Sequence, residues 1–176
     1  GTPDPGRKKT NPGSMFIDPK EIQNIIHINH DNLLNYETIF YNYELEQLIL
    51  FMPFYECNLF DVILEGEHFT ENDIKNIINQ VAKGLIELDS YGLFKGIFLI
   101  EYILLPKKEE KLLIKLNTCE IVGISQGDHH EERTIPEICA DVAYCLYAGK
   151  ALVNNTQIDD IDNETVRTLV TDLKHN

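Results

Sequence analysis

The sequence predicts a mixed α+β fold that is mostly helical. Two stretches with apolar residues at helical spacing, residues 70–89 and 138–153, supply most of the expected core. Between them, apolar segments at residues 93–105 and 112–116 flank a charged loop, a pattern typical of a β-hairpin. A domain built in this way has a few short strands beside a larger helical layer.

The N-terminal half is predicted to alternate short helices with strands. Isoleucines recur on one face of the first helix, which has Pro19 in its first turn. The second strand is an apolar run that we expect to be buried and to stop at Pro53. The predicted elements are a helix at 19–27, a strand at 33–40, a turn at 42–44, a strand at 48–54 and a helix at 58–64.

The clearest element is the long amphipathic helix at residues 70–89. Thr70 and Asp73, three residues apart, have the pattern of a capping box, and Gly92 follows the last turn. Beyond the hairpin, the sequence predicts a polar loop at 124–134, the helix at 138–153, a loop at 154–163 and a terminal helix at 164–174.

The first fifteen residues differ in amino-acid composition from the rest of the chain. Residues 1–15 carry three prolines, three glycines and a short basic run, a composition that does not form a packed element. We interpret this segment as a remnant of cloning or a flexible linker. Residues 16–176 are then assigned to a single domain.

The charge of the chain argues against several classes of partner. The formal net charge is -14, which repels nucleic-acid phosphates and anionic lipid surfaces. No apolar stretch approaches the ~20 residues that span a bilayer, and no secretory signal is evident. The four cysteines are irregularly spaced without a CxxC pair, which predicts reduced thiols in or near the core. We therefore expect a cytoplasmic protein, with the nucleus as the alternative.

Several motifs, in their order along the chain, resemble a eukaryotic protein kinase from its regulatory helix onward. His30-Asp31-Asn32-Leu33-Leu34 resembles the HxNIL step after that helix, and residues 78–88 resemble the helix before the catalytic loop. Pro136-Glu137 resembles the end of the activation segment, and Asp141-Val142 resembles the start of the central buried helix. The resemblance covers residues 19–152. It implies the helical lobe of a kinase together with a few strands of the other lobe.

The residues that kinase catalysis requires are missing at the matching positions. A kinase uses a catalytic aspartate, a metal-binding asparagine and a metal-binding aspartate. Phe94-Lys95-Gly96 replaces the catalytic-loop motif, and Glu101, or Tyr102 with one insertion, stands at the asparagine position. Thr118-Cys119-Glu120 replaces the DFG motif, and threonine is a poor magnesium ligand. The phosphate-binding half is expected to be absent, and the apolar texture of residues 93–105 predicts a cleft that is packed shut.

Three further groups of residues have a functional and a structural interpretation. Residues 128–132 (DHHEE) suggest a metal site, but adjacent histidines on a loop rarely converge on one ion, so we favour a solvated loop. Thr134 is a candidate phosphorylation site or an ordinary loop threonine. Tyr41, Tyr43 and Tyr55 are candidate partner anchors, although packing at the edge of the core is the favoured interpretation.

The resemblance implies a non-catalytic pseudokinase domain that acts by contact, as a scaffold or an allosteric regulator. The implied partner is an active kinase domain or another signalling enzyme, and a homodimer is a further option. We assign no catalytic, cofactor-binding or metal-binding residues. Within the family, the isoleucine- and asparagine-rich texture is similar to the degenerate domain that precedes the active one in the starvation-responsive translation-initiation-factor kinase.

Two alternatives stay open at the level of the sequence. The first is an atypical phosphotransferase whose site is rebuilt around Glu101 and Glu120. The second is an unrelated helical interaction module, which predicts that residues 141–152 do not form a helix buried in the middle of the fold.

Overall fold

The computed structural model describes residues 19–123 and 131–176. The helices in these residues are α1 (Pro19–His27), α2 (Leu59–Leu64), α3 (Glu71–Ser90), α4 (Thr118–Gly123), α5 (Ile135–Ala148), α6 (Thr156–Asp159) and α7 (Glu164–Lys174). The strands are β1 (Thr38–Asn42), β2 (Gln47–Phe51), β3 (Cys57–Asn58), β4 (Ile103–Leu105) and β5 (Lys115–Leu116). They form two small antiparallel sheets, β1–β2 and β3–β4–β5. The prediction of a mostly helical α+β fold is confirmed.

Helix α5 lies at the centre of the core and packs against both α3 and α7. It begins earlier than the predicted residue 138 because Thr134 caps it: the Thr134 hydroxyl accepts from the Glu137 N–H at 3.2 Å, and the Glu137 carboxylate accepts from the Thr134 N–H at 2.9 Å. It ends at Gly149, whose φ of 73° lies in the left-handed region. The predicted range 138–153 is therefore wrong at both ends, although the helix itself is present.

Helix α3 has the N-terminus that the sequence predicts. The Thr70 hydroxyl accepts from the Asp73 N–H at 3.1 Å, and the Asp73 carboxylate accepts from the Thr70 N–H at 2.9 Å. The apolar face of the helix is buried, as its spacing predicts. Its buried side chains are Ile74, Ile77, Ile78, Val81, Leu85 and Leu88.

Two polar residues from separate kinase-like motifs meet inside the fold. The Asn32 side chain donates to the Gln80 amide oxygen at 2.9 Å and to the Ile114 carbonyl at 3.2 Å. Gln80 in turn donates to the Leu112 carbonyl at 2.6 Å and accepts from the Ile114 N–H at 3.2 Å. Because the side chain of Asn32 is buried, these bonds satisfy polar groups that would otherwise be costly to bury. These bonds hold the segment around Asn32 against α3 and against the residue that precedes β5.

The β1–β2 hairpin departs from the predicted strands. Residues 33–37 lie outside β1, and Leu33 makes an isolated bridge to Leu116. The prediction of a buried strand at residues 48–54 is wrong, because Leu48, Phe51, Met52 and Phe54 are exposed. The physical reason is that this two-stranded sheet packs against the core through one face only, at Ile39 and Leu50.

The predicted hairpin over the charged loop is present but shorter than expected. Only β4 and β5 pair across the loop, and residues 93–102 are irregular and end in a 3₁₀ turn. Two helices were not predicted, α4 and the single turn of α6. Both are short, so too few residues carry a helical pattern for the sequence to identify them. None of the helices in the described parts of the chain combines the length and hydropathy that a membrane span requires.

All four cysteines are free, as the sequence predicts. Cys119, Cys139 and Cys145 are buried, and Cys57 is half-buried. Burial disfavours the thiolate and raises the pKa of Cys119 and of Cys139 to about 11. These thiols are therefore protonated and unreactive in the folded protein at neutral pH.

The buried thiols predict a loss of stability at alkaline pH. A thiol ionises near pH 9 in the unfolded chain and near pH 11 when buried, so stability is unaffected below pH 9 and falls as the pH rises from 9 to 11. Between pH 8 and pH 10 each such thiol removes on the order of 1 kcal/mol from the free energy of unfolding. Urea titrations at pH 8 and pH 10 measure the free energy of unfolding. The loss between the two pH values should be smaller in Cys139→Ala by the contribution of that one thiol. A difference between pH 8 and pH 10 that is unchanged in Cys139→Ala would contradict the prediction.

Candidate functional site

The positions that the kinase resemblance assigns to catalysis lie in two segments. The first is the irregular loop after α3, residues 93–102, and the second is the N-terminus of α4. A backbone hydrogen bond of 2.8 Å from the Asn117 N–H to the Tyr102 carbonyl joins them. The loop is packed as its apolar texture predicts, with buried side chains at Leu93, Ile97, Phe98 and Tyr102.

Gly96 is the residue that the kinase resemblance assigns to the position of the catalytic aspartate. Its φ is 81°, in the left-handed region of backbone conformation that residues other than glycine rarely adopt. Its carbonyl accepts from the Arg133 N–H at 2.7 Å, and an added Cβ would lie 3.3 Å from the Cβ of Glu132. The backbone of the 131–134 segment thus occupies the space next to Gly96, which offers no carboxylate for proton transfer or for orienting a hydroxyl group.

The packing at Gly96 predicts a larger cost of substitution there than at Gly66. Both residues have a positive φ, but a Cβ at Gly66 meets nothing within 4 Å. We expect Gly66→Ala to lower the free energy of unfolding by ~1 kcal/mol through backbone strain alone, and Gly96→Ala to lower it by ~2 kcal/mol. Chemical denaturation of the two variants measures the difference. Equal costs would mean that the 131–134 segment does not constrain Gly96.

Lys95, the neighbour of Gly96, connects the loop to two helices. Its ammonium group donates to the Val122 carbonyl in α4 and lies 3.5 Å from the Glu21 carboxylate in α1. The pair is only partly exposed. A cation and a carboxylate therefore link α1 to the loop after α3.

Thr118 is the residue that the kinase resemblance assigns to the position of the metal-binding aspartate. It is fully buried, and its hydroxyl donates to the Leu34 carbonyl at 3.2 Å. The next residue, Cys119, donates its backbone N–H to the Tyr36 hydroxyl at 2.9 Å. Burial raises the pKa of Tyr36, which keeps that hydroxyl neutral. The N-terminus of α4 is therefore held by neutral groups that face the interior.

Glu101 and Glu120, the carboxylates of the rebuilt-site alternative, occupy different surroundings. Glu101 is exposed and lines an apolar cavity of about 320 Å³ beside α5. Glu120 lies in the first turn of α4, where partial desolvation raises the pKa of its carboxyl group although the residue keeps exposed surface. Tyr102, the alternative at the asparagine position, is buried with its ring against Phe98.

The residues at these positions do not fit a magnesium-bound nucleotide. Magnesium prefers carboxylate oxygens and water, and its two kinase ligands correspond here to an inward-facing threonine and to Glu101 or Tyr102. No cluster of three or more metal-binding side chains occurs within residues 19–123 and 131–176. We derive no catalytic step at this site.

Arg133 was not identified from the sequence, yet it organises the neighbouring surface. Its guanidinium forms an ion pair with Asp141 of α5 and donates to the Phe98 carbonyl at 2.6 Å. Lys174 of α7 lies 3.2 Å from the other Asp141 oxygen, as an ion pair without hydrogen-bond geometry. The sequence feature that could have pointed to Arg133 was Asp141, because an aspartate that is partly buried needs a cationic partner.

The Arg133–Asp141–Lys174 network lies between two adjoining cavities. A polar cavity of about 330 Å³ is lined by all three residues together with Glu131 and Asn154. The apolar cavity beside Glu101 shares Arg133 and Asp141 with it. Because both cations of the network share the single carboxylate of Asp141, one of the two positive charges is offset and the network keeps a formal charge of +1.

The remaining candidates from the sequence have mixed outcomes. Residues 128–130 of the possible metal cluster lie outside the described residues, so that interpretation stays a prediction. Thr134 is the N-cap of α5, and its hydroxyl is engaged in the cap. Tyr55 packs against the core, whereas Tyr41 and Tyr43 are exposed and stack with their ring centroids 4.9 Å apart.

Comparisons with known proteins support the kinase-like fold. The chain is 31% identical over 137 residues, 74% of its length, to a protein of Dictyostelium discoideum named as a probable serine/threonine-protein kinase. The solved structure of Rad53 in complex with AMP-PNP matches 89% of the chain with a TM-score of 0.61 and 13% sequence identity. The chain spans 19% of the first protein and 46% of the second. No family model matches it. The fold is therefore similar to that of a protein kinase, and the mostly helical α+β structure is consistent with the helical lobe of a kinase.

Proposed function

We propose that this kinase-like domain is a non-catalytic pseudokinase that acts through protein contacts, as a scaffold or an allosteric regulator. The proposal is supported by the two positions that the kinase resemblance assigns to catalysis: Gly96 has no side chain at the position assigned to the catalytic aspartate, and Thr118, at the position assigned to the metal-binding aspartate, donates its hydroxyl to the Leu34 carbonyl. Both losses remove groups that stabilise the transition state of phosphoryl transfer.

The bridge formed by Lys95 supports the same proposal. In a working kinase the edge of the cleft must admit a nucleotide with its metal ions. Here Lys95 ties the loop to Glu21 of α1 and to the end of α4. These contacts hold α1, the loop after α3 and α4 together, which suits a domain that acts through its surface.

We propose that the partner is an active kinase domain or another signalling enzyme in the cytoplasm or nucleus. The similarity to a much longer probable kinase supports a domain that works beside other domains. The degenerate domain of the starvation-responsive translation-initiation-factor kinase is the family example that we propose for this arrangement.

A nucleotide titration tests the proposal. A ligand present at 100 times its Kd stabilises a protein by about 2.7 kcal/mol, which in a chain of this size raises Tm by about 5–10 °C. We expect no saturable change in Tm with ATP and MgCl₂, and no phosphate transfer to a mixed protein acceptor. An active kinase domain in the same buffer is the positive control.

The rebuilt-site alternative predicts the opposite result. A saturable rise in Tm that disappears in Glu120→Ala or Glu101→Ala, together with measurable phosphate transfer, would replace the pseudokinase proposal. The unrelated helical module is wrong, because α5 is buried at the centre of a kinase-like fold.

A further inference from the structure

The β1–β2 hairpin carries a cluster of exposed apolar side chains, one of which, Phe51, also lines a cavity with Leu104 and Asn117. On its outer face Phe40 is 47% exposed and Phe51 is 49% exposed, and their rings stack with centroids 6.1 Å apart. At the tip, Tyr41 and Tyr43 are also exposed and stacked. Aromatic side chains of this size dominate the energetics of protein interfaces when a partner covers them.

The hairpin also has unpaired strand edges. Within the described residues, β1 pairs with β2 and with no other strand, so each strand leaves one edge of N–H and C=O groups free. The inner face, at Ile39 and Leu50, packs against the core and holds the hairpin in place. An anchored two-stranded sheet with an apolar outer face can accept a further strand from another polypeptide.

The charge around the hairpin restricts the partner that fits. From Glu21 to Asp73 the sequence has eleven acidic residues and no lysine or arginine. Glu37, Glu44 and Glu46 are exposed at the hairpin, and their carboxylates make no ion pair within the described residues.

The cations that follow β4 in the chain are already engaged. In that loop, Lys108 pairs with Glu65 and Lys111 pairs with Glu67. They therefore do little to neutralise the three carboxylates of the hairpin. A second copy of the chain would place the same three carboxylates opposite each other, and an anionic membrane would be repelled as well.

We propose that the β1–β2 hairpin is a docking site for a basic, apolar strand of a partner protein. Apolar side chains of the strand cover Phe40 and Phe51, while its lysine or arginine side chains face Glu37, Glu44 and Glu46. Main-chain hydrogen bonds to a free edge of the hairpin supply affinity, and the charges select the partner. The inference rests on the proposed contact role and assigns that role to the β1–β2 hairpin.

The test uses the full 176-residue chain and two labelled ten-residue peptides, followed by fluorescence anisotropy without nucleotide. One peptide alternates valine with lysine, and its twin alternates valine with glutamate. We expect the basic peptide to bind at least tenfold more tightly than the acidic one. Nucleotide is absent, so this result is independent of the nucleotide titration and the two proposals can fail separately.

Matched variants locate the binding site. Phe40→Ser combined with Phe51→Ser should weaken basic-peptide binding at least tenfold, whereas Val153→Ser, at a residue 85% exposed elsewhere, should leave it unchanged. Glu37→Lys combined with Glu44→Lys should weaken it similarly, with Glu109→Lys as the control. Circular dichroism of each variant establishes that it is folded.

Three outcomes would overturn the proposal. They are equal binding of both peptides, full binding by the folded Phe40→Ser and Phe51→Ser variant, and self-association of the wild-type chain in sedimentation that this variant abolishes. The last outcome would assign the hairpin to a second copy of the chain.

Discussion

Gly84→Leu should lower the free energy of unfolding by ~3 kcal/mol or more. Gly84 lies in the middle of α3, where a Cβ would be 2.7 Å from the Leu116 Cδ1 atom and 3.2 Å from the Asn32 carbonyl. Leucine is a better helix former than glycine by ~0.8 kcal/mol, so helix propensity alone predicts a gain. The clash reverses the sign because Leu116 is fully buried and the core around it is close-packed.

The neighbouring position supplies the control for this substitution. Lys83 is exposed on the same helix, so Lys83→Leu should change the free energy of unfolding by less than ~0.5 kcal/mol. If Gly84→Leu does not fold, Gly84→Ala in wild-type and Leu116→Ala backgrounds measures the same clash as a coupling energy. A Gly84→Leu variant as stable as Lys83→Leu would show that α3 does not approach β5 closely.

Asp141→Ala should lower the free energy of unfolding by ~3 kcal/mol and Tm by about 6–12 °C. The substitution leaves two cations, Arg133 and Lys174, without their shared carboxylate in a partly buried site. Arg133 also donates to the Phe98 carbonyl, so the loop after α3 loses part of its anchor to the central helix. Thermal and urea denaturation measure the loss.

An exposed ion pair gives the matched comparison. Lys107 and Glu110 lie 3.9 Å apart with both side chains at least half exposed, and Glu110→Ala should cost less than ~0.5 kcal/mol. Joint replacement by Arg133→Met and Asp141→Leu should recover part of the loss, because it removes one of the two unpaired cations, Arg133, while Lys174 stays without its partner. A loss in Asp141→Ala no larger than in Glu110→Ala would mean that the network does not support the fold.

The elements that the sequence predicts well are those with local signals. The bounds of α1 and α7 agree with the prediction, and the Thr70–Asp73 capping box is present. Each of these signals lies within a few residues of the element that it determines, through helical spacing or a cap. The start of α5 was missed although Thr134 and Glu137 have the same spacing as Thr70 and Asp73.

The features that the sequence does not predict depend on contacts between distant residues. Asn32 and Gln80 are 48 residues apart, and Thr118 is 84 residues from its acceptor at Leu34. The exposure of β2 is a similar case, because an apolar run alone does not reveal whether another layer covers it. Arg133 gained its role only when folding placed it between α5 and the loop after α3.

The sequence by itself determined the order of the helices, their caps and the residue types at the kinase-like catalytic positions, because each is fixed by a residue and its near neighbours. Only the tertiary structure decided that Thr118 faces inward, that Lys95 bridges to Glu21, and that the β1–β2 hairpin has a bare apolar face. Those outcomes follow from how separate elements pack. Packing energies depend on which surfaces meet, and no single stretch of the chain carries that information.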